Sequence, residues 1–505
     1  MITYSSFDFY KSAVAPTVPG PSTDYTVRIG DEEIPAYSCR ISAYPFNRIW
    51  PGHQRPVSQT VPASFVNIVA DESVTLSVTS HLDEAKMILK PRRAEERLVQ
   101  DGNTVTFTLT EPGGYALLPD HYAHMLYIFV TRPLPTPKRE DVTHYFGPGV
   151  HFAGQIALSS GQSVYLDKDA YVFGEIYACD AEDIRIFGNG ILDGGTEERV
   201  WEACFGDAPI GNCKLKRCKK VRIESVGFAN AATWCMSFWR CEDVMIDGIR
   251  IFGQWRYNTD GVDMVNCRRM TLKNSFIHSF DDGVVIKGVS DYKETPNEDI
   301  SVEHCSVWCD WGKALELGLE TYCPAYRRIT FKDIDVLRGG NTVCDLQMGD
   351  CAVIEDVTFS DIRIEMEHFF TPEVYQASEN QVYAPSEKYA IPFFLGIGNE
   401  YRMSTTYGFW GEVTDSLGGL LPTVGEAHFA ACRRITVKDI ALLPSKELFD
   451  AMGGECAKAY ILNAFESSRY EDILISGVTL CGKPLAKEDV TFTTRGSGNT
   501  DFRFE

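Results

Sequence analysis

The chain lacks the features expected of a nucleic-acid-binding or membrane protein. Acidic residues outnumber basic ones by 70 to 48, giving a formal net charge of −22. This disfavours nucleic acid as a partner, because phosphate contacts need clustered lysine and arginine. No stretch reaches the roughly 18 consecutive apolar residues that span a bilayer, so no membrane association is predicted. The 16 cysteines are scattered without a CxxC pair, which favours buried free thiols over disulfides and gives no reason to predict a metal or a cofactor.

The amino terminus, MITYSSFDFYKSAVAP, also lacks the basic start, apolar run and small-residue cleavage site of a secretory signal. We therefore expect a cytoplasmic protein, or a secreted or periplasmic one if a leader has been removed. What the chain does contain is 44% apolar and 12% aromatic residues over 505 positions. This is enough for a large packed interior in two or three domains, or in one domain followed by a repeat array. A homo-oligomer is compatible with this composition.

Short alternating runs with turn signals between them characterise the first part of the chain. Such runs lie at residues 25–29, 73–78 and 104–109, and turn sequences such as DGN and PGG follow some of them. Evenly spaced short strands predict a small antiparallel β-sandwich. The proline-rich segment TRPLPTPK at 131–138 is typical of a stiff extended linker. We therefore predict a sandwich domain over residues 1–135.

A repeated pattern follows the linker. Short apolar–spacer–apolar motifs begin at Val221, Val244, Met270, Ile300, Ile329 and Val357, at intervals of 23, 26, 30, 29 and 28 residues. Strands that recur at this period with no helical stretch between them predict coils that bury their inner faces by stacking, as in a parallel β-helix. Leucine-rich repeats and propeller blades fit less well, since the first need a fixed leucine and asparagine consensus and the second a longer unit. We predict a β-helix over residues 136–505, with its first coils near residue 145.

The repeat lapses between about residues 365 and 430, which is too long for an ordinary solenoid turn. This insert is rich in aromatic residues: Phe369, Phe370, Tyr375, Tyr383, Tyr389, Phe393, Phe394, Tyr401, Tyr407, Phe409 and Trp410. One interpretation is a side lobe with its own small core. The other is a flap that closes one end of a cleft, which would favour action on chain ends over internal cleavage.

Three acids lie at turns in the middle of the repeat. Asp260 belongs to an Asn-Thr-Asp-Gly turn, and Asp281 and Asp282 precede Gly283 after two short predicted strands. If those strands lie in successive coils, the acids lie one rung apart on the same face. A single Asx-Gly pair is usually only a turn, but carboxylates gathered beside an apolar stack favour catalysis. A bound calcium ion is the alternative use of such a cluster.

These acids, within a parallel β-helix, resemble the pattern of the polygalacturonases, the family 28 glycoside hydrolases. The opening coils, with SGQSVYL at 160–166 and GNGILDG at 188–194, resemble that family's first rungs, so the likeness covers roughly residues 145–365. A sandwich domain ahead of the helix is similar to the family 49 dextranases and isopullulanase. The resemblance implies a right-handed β-helix and an inverting hydrolase, in which Asp281 is the general acid and Asp260 and Asp282 activate water.

The sequence departs from the polygalacturonase pattern at two places. Gly312-Lys313-Ala314 stands where that family has Gly-His-Gly, and the Arg-Ile-Lys triplet that grips a substrate carboxylate is replaced by a segment that contains Asp345 and Gln347. These changes disfavour galacturonic acid more than they disfavour hydrolysis, because a sugar acid calls for a fixed cation. The candidate substrate-binding residues are Asn258, Lys287, Lys313, Glu316, Glu320, Asp345, Gln347, Trp255 and Trp234.

Each of these candidates also has a simpler interpretation. Glu316, Glu320 and Asp345 suit the hydroxyl groups of a neutral sugar, but they could equally be solvated rung residues. Trp234, Trp255, Arg256, Tyr257 and Trp311 could form a platform for a sugar, or could simply fill the ends of the coils.

We therefore expect an inverting glycoside hydrolase that cleaves α-glycosidic bonds in a plant or microbial oligo- or polysaccharide, either pectic or neutral. One alternative is a β-helix that binds carbohydrate without catalysis, and it has no use for the three acids. The other is a polysaccharide lyase or glycosyl transferase on the same fold, for which Lys313 could serve as a base.

Overall fold

The structure is a computed structural model that describes most of the chain. The described residues are 1–7, 9, 19–43, 57–83, 86–95, 98–119, 123–199, 210–350, 352–371, 374–376, 381–383, 386–389, 391–399, 431–463, 468–496 and 498–505. Within these ranges, no helix has both the length and the apolar character needed to cross a membrane.

Two β-sheets form the amino-terminal part. The first sheet contains Ile2–Tyr4, Tyr37–Ser42, Thr60–Ala70, Ile88–Lys90, Gly113–Leu118 and Leu126–Thr131, and the second contains Tyr25–Ile29, Glu32–Ile34, Val74–Ser80, Val99–Asp101 and Thr104–Leu109. The strands pair antiparallel, except that Leu126–Thr131 runs parallel to Thr60–Ala70. Side chains such as Ile68, Leu76 and Phe107 fill the space between the sheets.

The other face of the first sheet packs against the solenoid. Phe65, Tyr127 and Phe129 are buried against Phe252 and Phe276, and the Tyr127 and Phe276 ring centroids lie 5.8 Å apart. Because these aromatic side chains come from both parts of the chain, the two parts share a core at their junction.

From residue 144 onward the chain forms one sheet that winds into coils. Its strands are His144–Phe146, Gly149–Leu158, Ser163–Leu166, Ala170–Cys179, Glu182–Gly188, Ile191–Asp193, Cys213–Lys216, Lys219–Glu224, Gly227–Ala229, Met236–Trp239, Glu242–Asp247, Arg250–Phe252, Val262–Val265, Arg268–Lys273, Phe276–Ser279, Val284–Gly288, Asn297–Cys309, Lys313–Thr321, Ala325–Arg338, Thr342–Gln347, Val353–Met366, Phe393–Gly398, Ala431–Pro444, Lys458–Leu462, Arg469–Ser476, Thr479–Leu480, Lys483–Pro484, Thr491–Arg495 and Asn499–Phe504. The α-helices are short, Arg92–Glu95 and Lys446–Ala451.

The pairing of these strands matches the predicted repeat. The residues that begin the repeats are direct parallel partners in successive coils: Val221, Val244, Met270, Ile300, Ile329, Val357, Ile435 and Ile473. Their side chains point into one continuous apolar core together with buried free cysteines such as Cys241 and Cys267. The predicted fold, a right-handed parallel β-helix after a small β-sandwich, is confirmed.

Most of the insert predicted at residues 365–430 lies outside the described residues, and so does its interpretation as a flap or a side lobe. The described pieces include two antiparallel pairs of strands, His368–Thr371 with Ser386–Tyr389 and Val374–Gln376 with Gln381–Tyr383. Phe393–Gly398 then rejoins the solenoid beside Thr342–Gln347.

Candidate active site

The stacking of successive coils brings the three acids together. Val262 pairs with Val284, and Val284 pairs with Leu315, so the turns that precede these strands lie one above another. The amide of Gly261 donates to the carbonyl of Asp282 at 2.8 Å, and the amide of Gly283 donates to the carbonyl of Lys313 at 2.8 Å. The turns that carry Asp260 and the Asp281–Asp282 pair are therefore held in register by the backbone.

Glycine allows these turns to approach closely. A Cβ atom on Gly261 would lie 2.4 Å from the carbonyl oxygen of Gly283, and one on Gly312 would lie 2.4 Å from Oδ1 of Asp282 and 2.6 Å from Oδ1 of Asp281. Real Cβ atoms essentially never come this close to another heavy atom. Both carboxyl groups therefore lie against the backbone of Gly312.

Asp281 is the acid that the structure favours in its protonated form. Its side chain is buried, and Asn258 Nδ2 donates to Asp281 Oδ2 at 3.1 Å. Arg199 Nη2 in turn donates to Asn258 Oδ1 at 2.8 Å, which fixes the amide. Burial, and then the neighbouring charge of Asp282, raise the pKa of Asp281 to about 7.

Asp282 has the opposite character although it is the next residue. Its Oδ1 accepts from the backbone N–H of Lys313 at 3.0 Å, and its Oδ2 lies 3.5 Å from Nζ of Lys287. Burial alone would raise the pKa of Asp282, but the ammonium groups of Lys313 and Lys287 outweigh it and hold the pKa below its usual range. One carboxyl of the pair is thus suited to give a proton and the other to take one.

Asp260 is more deeply buried than Asp281 and Asp282 and has fewer hydrogen-bond partners. It is 2% exposed, and its Oδ1 has no hydrogen-bond partner among the described residues. Burial, and then the charges of Asp263 and Asp281, raise the pKa of Asp260 well above its usual value. Of the two acids that the resemblance assigned to water activation, the structure therefore favours Asp282 as the ionised base.

Sequence reasoning missed Asp263, a fourth acid of this cluster. It lies in the strand Val262–Val265, has no exposed surface, and interacts with Asp260, Asp282 and Lys287. The signal was present in the alternation of that strand: Val262 and Met264 belong to the apolar core, so Asp263 must point to the opposite face.

The two predicted lysines lie at this cluster, but both are paired with carboxylates. Lys287 is 4% exposed and has Asp282, Glu320 and Asp263 within 4.0 Å of its Nζ. Lys313 Nζ lies 3.3 Å from Glu316 Oε1, and its side chain is 22% exposed. Lys313 is therefore placed to contact a substrate, whereas Lys287 is enclosed.

Glu316 and Asp345 lie on adjacent strands as direct partners, and neither has exposed surface. The hydroxyl of Tyr460 donates to Asp345 Oδ1 at 2.9 Å, while burial raises the pKa of Asp345 to about 6. These acids are enclosed and do not present open oxygens for a sugar, contrary to the prediction that they bind substrate. Gln347, by contrast, is half-buried at the end of its strand.

The predicted aromatic platform is divided into separate groups. Trp234 stacks on Trp239 with centroids 5.7 Å apart. Trp311 packs with Phe280 and Tyr257 at centroid distances of 5.8 and 5.7 Å. Trp255 donates from Nε1 to Asn230 Oδ1 at 2.9 Å and lies under the guanidinium of Arg256.

The cluster does not suit calcium. The ammonium groups of Lys287 and Lys313 lie among its carboxylates, where a calcium site needs six to eight oxygen ligands. Within the described part of the chain, no group of histidine, cysteine, aspartate and glutamate side chains is arranged to hold a metal ion.

Comparison with known proteins relates the coils that carry these acids to glycoside hydrolases. Residues 147–366 match the model of the glycosyl hydrolases family 28. The probable exopolygalacturonase B of Neosartorya fischeri is 20% identical over 305 residues, which cover 57% of this chain and 63% of that protein. The match therefore spans less than two thirds of the curated relative.

Two solved structures align with the chain, one of them over nearly its whole length. Dex49A from Penicillium minioluteum, a family 49 dextranase, superposes with a TM-score of 0.67 at 13% identity, covering 97% of this chain and 96% of its own. The polygalacturonase from Erwinia carotovora ssp. carotovora gives a TM-score of 0.46 at 15% identity, covering 70% of this chain and 86% of its own. The dextranase structure thus shares the architecture of the whole chain, sandwich included. The family 28 match over residues 147–366 and the curated exopolygalacturonase support a polygalacturonase-like glycoside hydrolase.

Proposed function

We propose that the protein hydrolyses α-glycosidic bonds of a glycan with inversion at the anomeric carbon. The observation that carries this proposal is the Asp281–Asp282 pair, two buried neighbouring carboxyls whose pKa values are shifted in opposite directions. A glycosidase needs one protonated and one ionised carboxyl at the same bond. The family 28 match over these coils supports the same reaction class.

In this mechanism Asp281 gives its proton to the glycosidic oxygen as the bond from that oxygen to the anomeric carbon breaks. Asp282 takes a proton from a water molecule, whose oxygen forms the new bond to the anomeric carbon. Because Asp281 Oδ1 and Asp282 Oδ1 both lie within 2.6 Å of a Cβ position on Gly312, the two carboxyls are closer than the roughly 6.5–9.5 Å typical of inverting pairs, so inversion is inferred from the family 28 match and not from their separation. Asn258 orients the acid through its bond to Oδ2. The raised pKa of Asp260 favours its neutral form, which leaves Asp282 as the base.

For the substrate we propose a neutral α-linked glycan. Lys287 is enclosed by carboxylates, and the partly exposed Lys313 already pairs with Glu316, so the described site offers no unpaired cation for a sugar carboxylate. A pectic substrate is the second candidate, because the family match and the curated relative both point to polygalacturonases.

The test is hydrolysis of a panel that contains dextran, other neutral α-glucans and polygalacturonate, with NMR detection of the first anomer released. We expect a neutral glycan to be cleaved and the product to form first as the β-anomer. Asp281→Asn should reduce kcat by about a thousandfold or more, since general acid catalysis contributes roughly 10²–10⁴, and should leave the fold intact.

Asp472→Asn is the matched control, because Asp472 is exposed and pairs only at the surface with Arg503; it should retain full activity. Substantial activity in Asp281→Asn, or retention of configuration, would contradict the mechanism. An unsaturated, ultraviolet-absorbing product would show a lyase instead, and binding without turnover in the unmodified protein would show a carbohydrate-binding module.

A further inference from the structure

Lys287 places a buried ammonium group directly behind the catalytic pair. Its Nζ lies 3.5 Å from Asp282 Oδ2, 3.4 Å from Glu320 Oε2 and 4.0 Å from Asp263 Oδ1. These three carboxylates come from three successive coils, so the ammonium joins the rung of the catalytic pair to the rungs on either side. A buried charge is costly unless it is paired, and here the pairing is with acids that are themselves buried.

The aromatic ring of Trp234 also covers the ammonium group of Lys287. Its Nζ lies 5.1 Å from the ring centroid of Trp234, within cation–π distance. Trp234 is 3% exposed and Lys287 is 4% exposed. A side chain in this position acts on the neighbouring carboxylates and does not contact the substrate.

Asp282 is the member of the catalytic pair that Lys287 touches. Its other oxygen, Oδ1, is bound by the backbone N–H of Lys313 at 3.0 Å. The remaining titratable groups that face Asp282 are Asp281, Asp260, Asp263, Glu316, Asp345 and the Lys313 ammonium, and the last of these pairs with Glu316 at 3.3 Å. Lys287 is therefore the cation in direct contact with the base.

We propose that Lys287 is a positioning residue that keeps Asp282 as a carboxylate while Asp281 holds its proton, and that Asp263 and Glu320 hold the ammonium in place. The proposal rests on the function proposed above, in which Asp282 is the base. Glu320 shares the ammonium with Asp282, so Glu320 also weakens the hold of the ammonium on Asp282, whereas burial raises the pKa of Asp263 and favours its neutral form.

Variants of Lys287 and Glu320 should shift the pH profile of kcat in opposite directions. In Lys287→Met, Asp282 loses its cation, so we expect the acidic limb to move up by about one pH unit or more and kcat at acidic pH to fall about tenfold, while KM changes little. Lys287→Arg keeps a cation beside Asp282, so its acidic limb should lie at the same pH as in the unmodified protein. Glu320→Gln removes a carboxylate that competes with Asp282 for the Lys287 ammonium. The acidic limb of the kcat profile should therefore move to lower pH.

Lys273→Met is the matched control, because Lys273 lies on a neighbouring strand of the same coils and forms a partly exposed pair with Asp247 at 3.4 Å; its pH limbs should not move. A rise in KM with unmoved limbs in Lys287→Met would overturn the proposal and identify a substrate contact. If Lys287→Met does not fold, Glu320→Gln decides alone, since an upward or absent shift would overturn the proposal.

The protonation of Asp282 can also be followed without turnover, by NMR of ¹³C-labelled aspartate carboxyls. The signal of Asp282 is assigned as the one that is lost in Asp282→Asn. Lack of hydrolysis on every glycan would count against the proposed function, whereas an Asp282 titration that is unchanged in Lys287→Met would count against this inference. The two failures are thus distinguishable.

Discussion

At the scale of single residues, the site separates two adjacent carboxyls that the sequence presents as equivalent. Asp281 accepts a hydrogen bond from the neutral amide of Asn258, whereas Asp282 accepts from the backbone N–H of Lys313 and faces the ammonium of Lys287. A cation stabilises a carboxylate more than a neutral amide does. The difference between the proposed acid and the proposed base therefore comes from their neighbours on the same coil and on the adjacent coils.

Gly312 provides a test of how tightly this pair is held. We expect Gly312→Ala to reduce kcat by about a hundredfold, because its new methyl group would lie 2.4 Å from Asp282 Oδ1 and 2.6 Å from Asp281 Oδ1, and displacements of about 1 Å at a catalytic group cost activity on this scale. The measurement is kcat on the glycan that the unmodified enzyme cleaves.

The control for this substitution is Gly113→Ala in the sandwich. A Cβ atom there would meet Tyr115 at an ordinary contact distance of 3.7 Å, so activity and stability should be retained. If Gly312→Ala kept full activity, the carboxyl pair would have room to move and the geometry described here would not limit the reaction.

The sequence predicts which acids meet, but not how they are paired. Asp260, Asp281 and Asp282 could be placed together because the repeat period aligns their turns. Asp263 was missed because it lies within a strand and not at a turn. The alternation of that strand nevertheless places its side chain on the face opposite to the apolar core. The pairing of Lys287 with three acids depends on side-chain directions across three coils, which no local pattern encodes.

At the scale of elements, the sandwich is joined to the solenoid by a buried charged network. Lys90, at the end of the strand Ile88–Lys90, donates from Nζ to Glu365 at 2.8 Å, to Glu367 at 3.3 Å and to the carbonyl of Leu337 at 3.1 Å. Arg92 adds further bonds to Glu367. Both glutamates lie at the point where the strand Val353–Met366 ends, before the long insert.

We expect Lys90→Met to destabilise the protein by about 3–5 kcal/mol, the usual cost of removing one partner from a buried ion pair. The side chains of Lys90 and Glu365 are 0% and 2% exposed, so Glu365 would stay buried without its nearest cation, while Glu367 would keep its pairing with Arg92. Urea unfolding monitored by circular dichroism would measure the loss.

Lys446→Met is the matched control, since Lys446 and Asp450 form a surface pair one helical turn apart with exposed side chains and should add little to stability. An equal effect of both substitutions would contradict a special role for the buried network. This contact could not be predicted from the sequence, because Lys90 and Glu365 lie 275 residues apart and nothing local marks either as a domain contact.

At the scale of the whole molecule, the repeat period was sufficient to predict the solenoid, because each coil can bury its apolar residues only against its neighbours. The same argument fails where repetition stops. The one parallel pair of strands in the first amino-terminal sheet, Thr60–Ala70 with Leu126–Thr131, joins segments that share no pattern, so only the sandwich class could be predicted there.

The acidic character of the protein also has a consequence for its stability. Burial raises the pKa values of several carboxyls: to about 7 for Glu175 and Asp281, and to about 6 for Asp193 and Asp345. Such a group binds its proton more tightly in the folded chain, so its contribution to stability is lost as the pH rises from its unfolded pKa, about 4, to its folded pKa. The net charge of −22 acts in the same direction, because deprotonation increases self-repulsion.

We therefore expect the melting temperature to be highest near pH 5 and to fall by several degrees between pH 5 and pH 7.5. Below about pH 4 the trend should reverse, because carboxyls with a lowered pKa, such as Asp180 beside Arg217 with a pKa of about 2, then lose their ion pairs. Calorimetry at constant ionic strength would measure the profile. Asp281→Asn removes one group with a raised pKa, so its profile should fall less steeply above pH 5, and an unchanged slope would show that Asp281 titrates alike in the folded and unfolded chains.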